Sequence, residues 1–312
     1  GKYSSSYALS HTDPYTNVDG VSRTVGVQYR DITQFVSAAS DFSTVTKSAS
    51  LEFGYPISEF QGLRFGLVVQ KSDLIVNPGN SAPEAVNWVR NNGNPYTRLI
   101  ENEFPDGGDP DTDPDIIVTP LFGTKFDTYE LVTGWFFDSR NRAIFADRGM
   151  RHSVSLAVTA PGSEVDYYVF NYDYLQLVPI WRQWTVAMSA ELAFGDALGN
   201  NTTALPPYRQ FFAGGPSSVR GYTESRLGPK DGFGNPYGGN MKVIGRTELL
   251  FPVPQKWRAS TRISAFFDIG NVFSQGAGVD FVGIDGVTPV DYEFDYNELK
   301  QSAGLSVQWL AP

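Results

Sequence analysis

The sequence predicts an all-β fold, a transmembrane antiparallel β-barrel. Three observations carry that expectation: period-two segments whose two faces differ in kind, connectors that alternate between short and long, and a composition rich in turn formers and aromatics. The 312 residues include 31 glycines, 20 prolines and 14% aromatics, with no cysteine, 19% charged residues and a formal net charge of -10. This balance excludes a nucleic-acid binder, a disulfide scaffold and a disordered tail. Mean hydropathy is mildly negative. No apolar run approaches the ~18 to 20 residues that a membrane-spanning helix needs. A barrel escapes that test, because its apolar surface occupies only every second residue.

In chain order, the alternating segments begin with "YALSH", "RTVGVQYR", "KSASLEFGY" and "LRFGLVVQ". In the second of these, Val25, Val27 and Tyr29 share one face and Gly26, Gln28 and Arg30 the other. The pattern continues through Leu131, Thr133, Trp135 and Phe137; through Val154, Leu156 and Val158; through Tyr168, Phe170, Tyr172 and Tyr174; and through Trp184, Val186, Met188, Ala190 and Leu192. The last three segments are "MKVIGRTELLF", "TRISAFFDIGNVF" and "QSAGLSVQWL". The expectation is about eleven strands, each near the ~9 to 11 residues that cross a bilayer at a tilt.

Connectors sort into two kinds. "DPYTNVDG", "YPISEFQ", "VPIWRQ" and "FPVPQKW" are short and proline-marked, and "DSRNRAIFADRG" is a longer member of that set. Residues 31–45, 73–127, 195–240 and 274–299 form long, mostly polar connectors. Short turns on one side and long loops on the other are the habit of an outer-membrane barrel. The tight turn "APGSE" is an exception, since it belongs to the long-loop side.

Periodicity alone fits the core of a soluble sandwich as well. The opposite faces decide: Gln28, Arg30, Arg64, Gln70, Glu191, Lys242, Arg246, Glu248, Arg262, Asp268 and Gln308 make a poor shared core and a good wet lumen. Tyr15, Tyr55, Phe60, Trp181, Trp184, Phe251, Trp257 and Trp309 lie near strand ends, where interfacial aromatic girdles form. The first strand and the last, ending at "WLAP", finish on the same side, so the strand count is odd. An antiparallel sheet closes only on an even count. The chain is therefore expected to be a piece of a larger barrel, lacking strands at one or both ends, or to hold a strand that alternation does not reveal.

One motif stands out, "FFAGGPSSVRGYTES", in which Arg220 sits among Gly214, Gly215 and Gly221. Its connector, about 195–240, is a loop of about forty-five residues, and loops of that length in compact proteins are usually functional. Folded into the lumen, Arg220 meets inward carboxylates, with Glu248 and Asp268 the best placed by alternation. A guanidinium's planar fork serves two acids at once. Counting outward from "PVPQKWRAS" sets the two acids several residues apart along the hairpin, a gap that strand stagger would have to close.

"FFAGGPSSVRGYTESRLGPK", "GGNMKVIGRTELLFPVP", "FFDIGNVF" and "SAGLSVQWLAP", with "DPYTNVDGVS", "GYPISEF", "LRFGL", "VTAPGSEVDYY" and "LVPI", resemble the BamA family of outer-membrane barrel-assembly proteins over nearly the whole chain outside the long loops. The resemblance implies a barrel of about sixteen strands, of which this chain matches a stretch from around the fourth strand to the fourteenth. It implies a sixth extracellular loop inside the barrel, its arginine bonded to inner-wall acids. By motif these are Val219, Arg220, Gly221 and Tyr222 in the loop, Glu248 in "RTELLFP" and Asp268 in "FFDIGN". Residues 1–312 would be a partial barrel domain, with 73–127 a large extracellular loop. The implied role is insertion of other barrel proteins into the outer membrane of a Gram-negative bacterium, with no bond chemistry and no cofactor. The implied partners are nascent outer-membrane β-barrel proteins, assembly-machinery lipoproteins, membrane lipids and lipopolysaccharide, and no nucleic acid. Periplasmic polypeptide-transport-associated domains would precede the barrel. A two-partner secretion pore shares the V-R-G-[YF] loop, and a passive porin shares the barrel.

Other constellations carry less. His11 and His152 are far apart and on or next to turns, which suits surface polar residues and neither a triad nor a metal site. "DGGDPDTDPD" (106–115) lacks the full pattern of a calcium loop and reads as a solvated acidic loop. Tyr167, Tyr168, Tyr172 and Tyr174 could form a stacking platform, but a lipid-facing strand suits a net charge of -10 better.

Overall fold

The computed structural model describes residues 4–37, 40–103, 116–257, 260–276, 278–285 and 287–310. Its strands are β1 (Ser4–Asp13), β2 (Ser22–Ser37), β3 (Ser40–Ser58), β4 (Gln61–Val76), β5 (Asn94–Glu103), β6 (Ile116–Asp138), β7 (Gly149–Thr159), β8 (Tyr167–Trp181), β9 (Trp184–Ala197), β10 (Met241–Leu250), β11 (Thr261–Phe273), β12 (Phe281–Val282), β13 (Pro289–Val290) and β14 (Lys300–Trp309), with one helix, α1 (Pro83–Asn91). The sheet runs β1-β2-β3-β4-β6-β7-β8-β9-β10-β11-β14, and β5 adds to β6 off that path. Every pairing is antiparallel. The two edge strands, β1 and β14, are not paired with each other among the described residues.

The path contains the eleven segments that alternation picks out, but several are much longer than expected. β2 and β4 have 16 residues each, β3 has 19 and β6 has 23. The stretch 31–45 is consequently not a long loop: β2 and β3 remain paired through it to Ser37 and Ser40. The described parts of 73–127, residues 73–103 and 116–127, are likewise structured, holding α1, β5 and the upper part of β6. The acidic run 106–115 lies outside the described residues.

Registers align the apolar faces across the whole sheet. Leu9 pairs with Val27, Val25 with Leu51, Leu51 with Leu67, and Leu67 with Leu131; Val158 pairs with Tyr168, Phe170 with Phe194, and Ala265 with Leu305. Leu9, Val27, Leu67, Leu131 and Leu305 are exposed, which in water would be costly over such an area. Toward the long-loop end this belt meets a polar row, Lys47 paired with Lys71 and Lys71 with Asp127. At the other end Tyr15, Tyr55, Phe60, Trp181, Trp257 and Trp309 stand exposed around the short turns.

The buried core lies on the other face, near the long-loop end. Leu74, Val76 and Phe126 of the sheet pack with Ala85, Trp88 and Val89 of α1 and with Leu205 and Tyr237 of the 198–240 connector. The Trp88 indole donates to the Ala204 carbonyl at 2.9 Å, and Asn92 exchanges two 2.8 Å hydrogen bonds with Thr203. Nine residues are too few for a stable isolated helix, so α1 exists by this docking. Glu164 of the "APGSE" turn accepts from the Asn94 side chain of β5 at 2.7 Å and from the Asp127 amide at 2.8 Å, tying the turn to its neighbours.

His11 is exposed within β1. His152 departs from the expected surface polar residue: it lies within β7 among Trp135, Phe137 and Tyr174, its Nδ1 3.0 Å from the Tyr172 hydroxyl. No cluster of metal-binding side chains occurs among the described residues. Tyr167 is buried, its hydroxyl bonded to Glu130, on the face opposite Tyr168.

Candidate functional site

The 198–240 connector folds onto the polar face of the sheet. Bridges pair Phe211 with Gly239 and Ala213 with Leu227, making a tongue whose tip carries residues 214–226. Gly214 and Gly215 take φ of 107° and 89°, values that side chains other than glycine rarely tolerate. Ser218 closes the turn, its hydroxyl donating to the Gly214 carbonyl at 2.9 Å and accepting from the Gly214 amide at 2.8 Å. Val219 is fully buried with Ala213, Leu227, Ile244 and Val272, so an apolar peg seats the tip on β10 and β11.

This seating delivers Arg220. Its Nε and Nη2 donate to Asp268 Oδ2 and Oδ1, both at 2.7 Å, and its backbone amide adds a 3.0 Å bond to Oδ2. Nη1 lies 2.7 Å from Glu248 Oε1. The Glu248 Oε2 accepts from the Ser264 hydroxyl at 3.0 Å. Side-chain exposure is 13% for Arg220, 18% for Glu248 and 0% for Asp268, so the cluster is nearly dry. Charge-assisted, bidentate bonds of this kind are the strong ones, and breaking such a buried pair costs about 3 to 5 kcal/mol. Gly221, at φ 85°, turns the chain next to Ser302, and the Tyr222 hydroxyl donates to the Gln301 carbonyl of β14 at 3.1 Å.

Two acids several residues apart would be hard for one guanidinium to hold. They are closer: in the register Arg246 faces Asp268 and Glu248 faces Phe266, so the acids are diagonal neighbours one inner-face step apart. Phe266 lies between them, and the Arg220 guanidinium carbon is 3.8 Å from its ring centre. Sequence reasoning missed this residue. Its signal is an aromatic on the face otherwise held by Arg262, Ser264 and Asp268.

Further ties hold the tongue. Arg246 bonds the Ser217 carbonyl and Glu191, and Lys242 reaches Glu191 at 2.8 Å. Arg209, just before the tongue, bonds Glu130. The contacts of this arrangement fix a loop against a wall.

The Omp85 superfamily domain matches residues 1–312, the entire chain. The chain belongs to the Omp85 superfamily. Among curated proteins it is 30% identical to the outer membrane protein assembly factor BamA of Neisseria meningitidis serogroup B, over 98% of this chain and 37% of that protein. A second BamA, from Nitratidesulfovibrio vulgaris, is 28% identical over 38% of this chain and 13% of its own length. The chain thus spans well under half the length of these relatives. The fold is that of the barrel in the crystal structure of BamA from Haemophilus ducreyi lacking POTRA domains 1-3, with a TM-score of 0.78 and 24% identity, covering 99% of this chain and 56% of that one. As an Omp85 barrel, the sheet turns its exposed apolar face to the lipid of a Gram-negative outer membrane and its polar face, with the tongue, to the lumen.

Proposed function

We propose that this chain is the barrel of an outer-membrane protein insertase, which folds β-barrel proteins and inserts them into the membrane without making or breaking covalent bonds. The observation that carries the reading is the tongue held by Arg220 against Glu248 and Asp268, in a chain similar to BamA along almost all its length. Residues 1–312 serve as a partial barrel domain, with about 195–240 its internal loop and about 73–127 its large extracellular loop. Val219, Arg220, Gly221 and Tyr222 are the loop's functional motif, and Glu248 and Asp268 its partners on the wall.

In this reading the tongue stiffens β10, β11 and β14 from inside while the work is done at a free strand edge. An unpaired edge within lipid exposes N–H and C=O groups at several kcal/mol each, and an incoming strand relieves that cost by adding to the sheet. The partners are nascent outer-membrane β-barrel proteins, assembly-machinery lipoproteins, and the lipids and lipopolysaccharide around the barrel.

Reconstitution tests this. The full-length protein in liposomes should speed the folding of an added urea-unfolded outer-membrane barrel, read as the band shift between boiled and unboiled samples. Folding no faster than in empty liposomes, with the tongue shown intact by proteolysis, would reject the reading.

A further inference from the structure

The turn 139–148, between β6 and β7, does not hang free below the sheet. Ala146 is buried against Leu177, Ala187 and Leu250, Thr185 of β9 donates to the Asp147 carbonyl at 3.2 Å, and Arg262 of β11 bonds the Ala146 carbonyl. The turn therefore reaches across the inner face from β7 to β11. Phe145 takes φ 52°, an outlier for a bulky aromatic, and the Arg262 guanidinium lies 5.2 Å from its ring centre.

Between this turn, the β8–β9 hairpin tip and β10–β11 lies a cavity of about 240 Å3. Four of its lining residues are arginines, Arg142, Arg148, Arg182 and Arg262, and one is a carboxylate, Asp147. Asp147 is occupied by Arg142 at 2.5 Å. None of the other three arginines has a carboxylate partner among the described residues. Three arginines without a carboxylate in ion-pair contact thus line one concave site in a chain whose net charge is -10, Arg262 resting against the Ala146 carbonyl and Arg182 over the Trp181 ring.

We propose that this cavity binds the carboxylate of an acidic polypeptide segment docked at the short-turn mouth of the barrel. The guanidinium fork matches a carboxylate bidentately, and concentrated positive charge in a cleft speeds and orients capture. Thr185, Leu250 and Arg262 of the lining lie on the inner face, so a lipid headgroup would have to leave the bilayer to reach those three. Leu250 and Phe251 supply apolar wall for the residue next to the acid, which a free phosphate cannot use. The volume suits one acidic side chain and its neighbour, below the ~300 Å3 at which drug-sized pockets begin. The inference goes beyond the insertase reading and does not require it.

Arg148 and Arg182 are exposed turn residues, so their substitution leaves the sheet intact. The experiment measures fluorescence anisotropy of a labelled peptide of alternating glutamate and glycine with the full-length protein in micelles. The wild-type protein should bind it and ignore the glutamine–glycine peptide. The double variant R148Q/R182Q should bind about tenfold more weakly or worse, as expected for lost charge-assisted contacts. Salt should weaken wild-type binding, as screening requires. Equal binding by wild type and double variant, equal binding of the glutamine peptide, or displacement by inorganic phosphate at concentrations as low as free peptide would each overturn the proposal.

Discussion

Arg220 lies over Phe266, its guanidinium carbon 3.8 Å from the centre of the ring. The arginine is thereby held from below by a π face and from its edges by two carboxylates. Phe266→Leu keeps an apolar, somewhat smaller side chain and removes the ring. It should lower stability by about 1 kcal/mol, the scale of a partly desolvated cation–π contact, and should increase tryptic cleavage within residues 211–226. Unchanged cleavage would show that the acids alone hold the tongue.

Arg220→Ala leaves Glu248 and Asp268 as unpaired neighbours of like charge. The expected loss is about 3 to 5 kcal/mol, far above the ~0 to 1 kcal/mol of an exposed pair, seen as a lower thermal unfolding midpoint in micelles. Arg220→Lys should fall between, keeping charge and losing the fork. Arg220→Glu should be rescued in part by Glu248→Arg. A pair no better than the single variant would mean that Glu248 is not a true partner.

Gly304 lies opposite Phe266 in the β11–β14 register, and a Cβ there would sit 3.0 Å from the ring. Arg220 covers one face of that ring, which limits where it can shift. Gly304→Ala should cost about 1 to 3 kcal/mol, the usual range for overpacking, and should also raise tryptic cleavage of the tongue. A variant as stable and as resistant as the wild type would show that the ring has room to move.

Glu84 of α1 is buried, and its carboxyl makes no side-chain hydrogen bond of good geometry among the described residues, with only the Glu84 and Gly232 amides nearby to offset the burial. Burial, with the charge of Asp231 nearby, pushes its carboxyl up to about 7 from an ordinary 4.5. The folded state therefore holds a proton that the unfolded chain releases, and docking of α1 should weaken as pH rises from about 4.5 through 7, by up to about 3 kcal/mol. Hydrogen exchange of the α1 amides, corrected for intrinsic rate, reports this directly. Glu84→Gln should flatten the profile; a slope that survives in that variant would assign it elsewhere.

Much of the sheet is legible in the sequence because its signal is local. Val25, Val27 and Tyr29 need only their immediate neighbours to declare a face. The signal fades where both faces turn polar, which is why the upper ends of β2, β3, β4 and β6, with Asp31, Lys47, Asp73 and Lys125, read as loops. β5 and α1 were hidden for another reason: "PEAVNWVRN" is too short to announce a helix and owes its form to Ala204 and Thr203, more than a hundred residues away. Within the site, alternation gave the face of Glu248 and Asp268. It could not give the register, which depends on how the 251–260 turn is wound. Phe266 went unnoticed because an aromatic on a polar face looks like noise until the cation that covers it is known.

Among the described residues, the Asp268 carboxylate receives its three hydrogen bonds from Arg220 and is wholly shielded from solvent. Before the tongue arrives, that carboxylate must be satisfied by water. Arrival of the tongue is then also a drying event, and it sets a sequence in time: the strands can zip while the bore is wet, but this stretch of wall reaches its final state only after the plug has expelled its solvent.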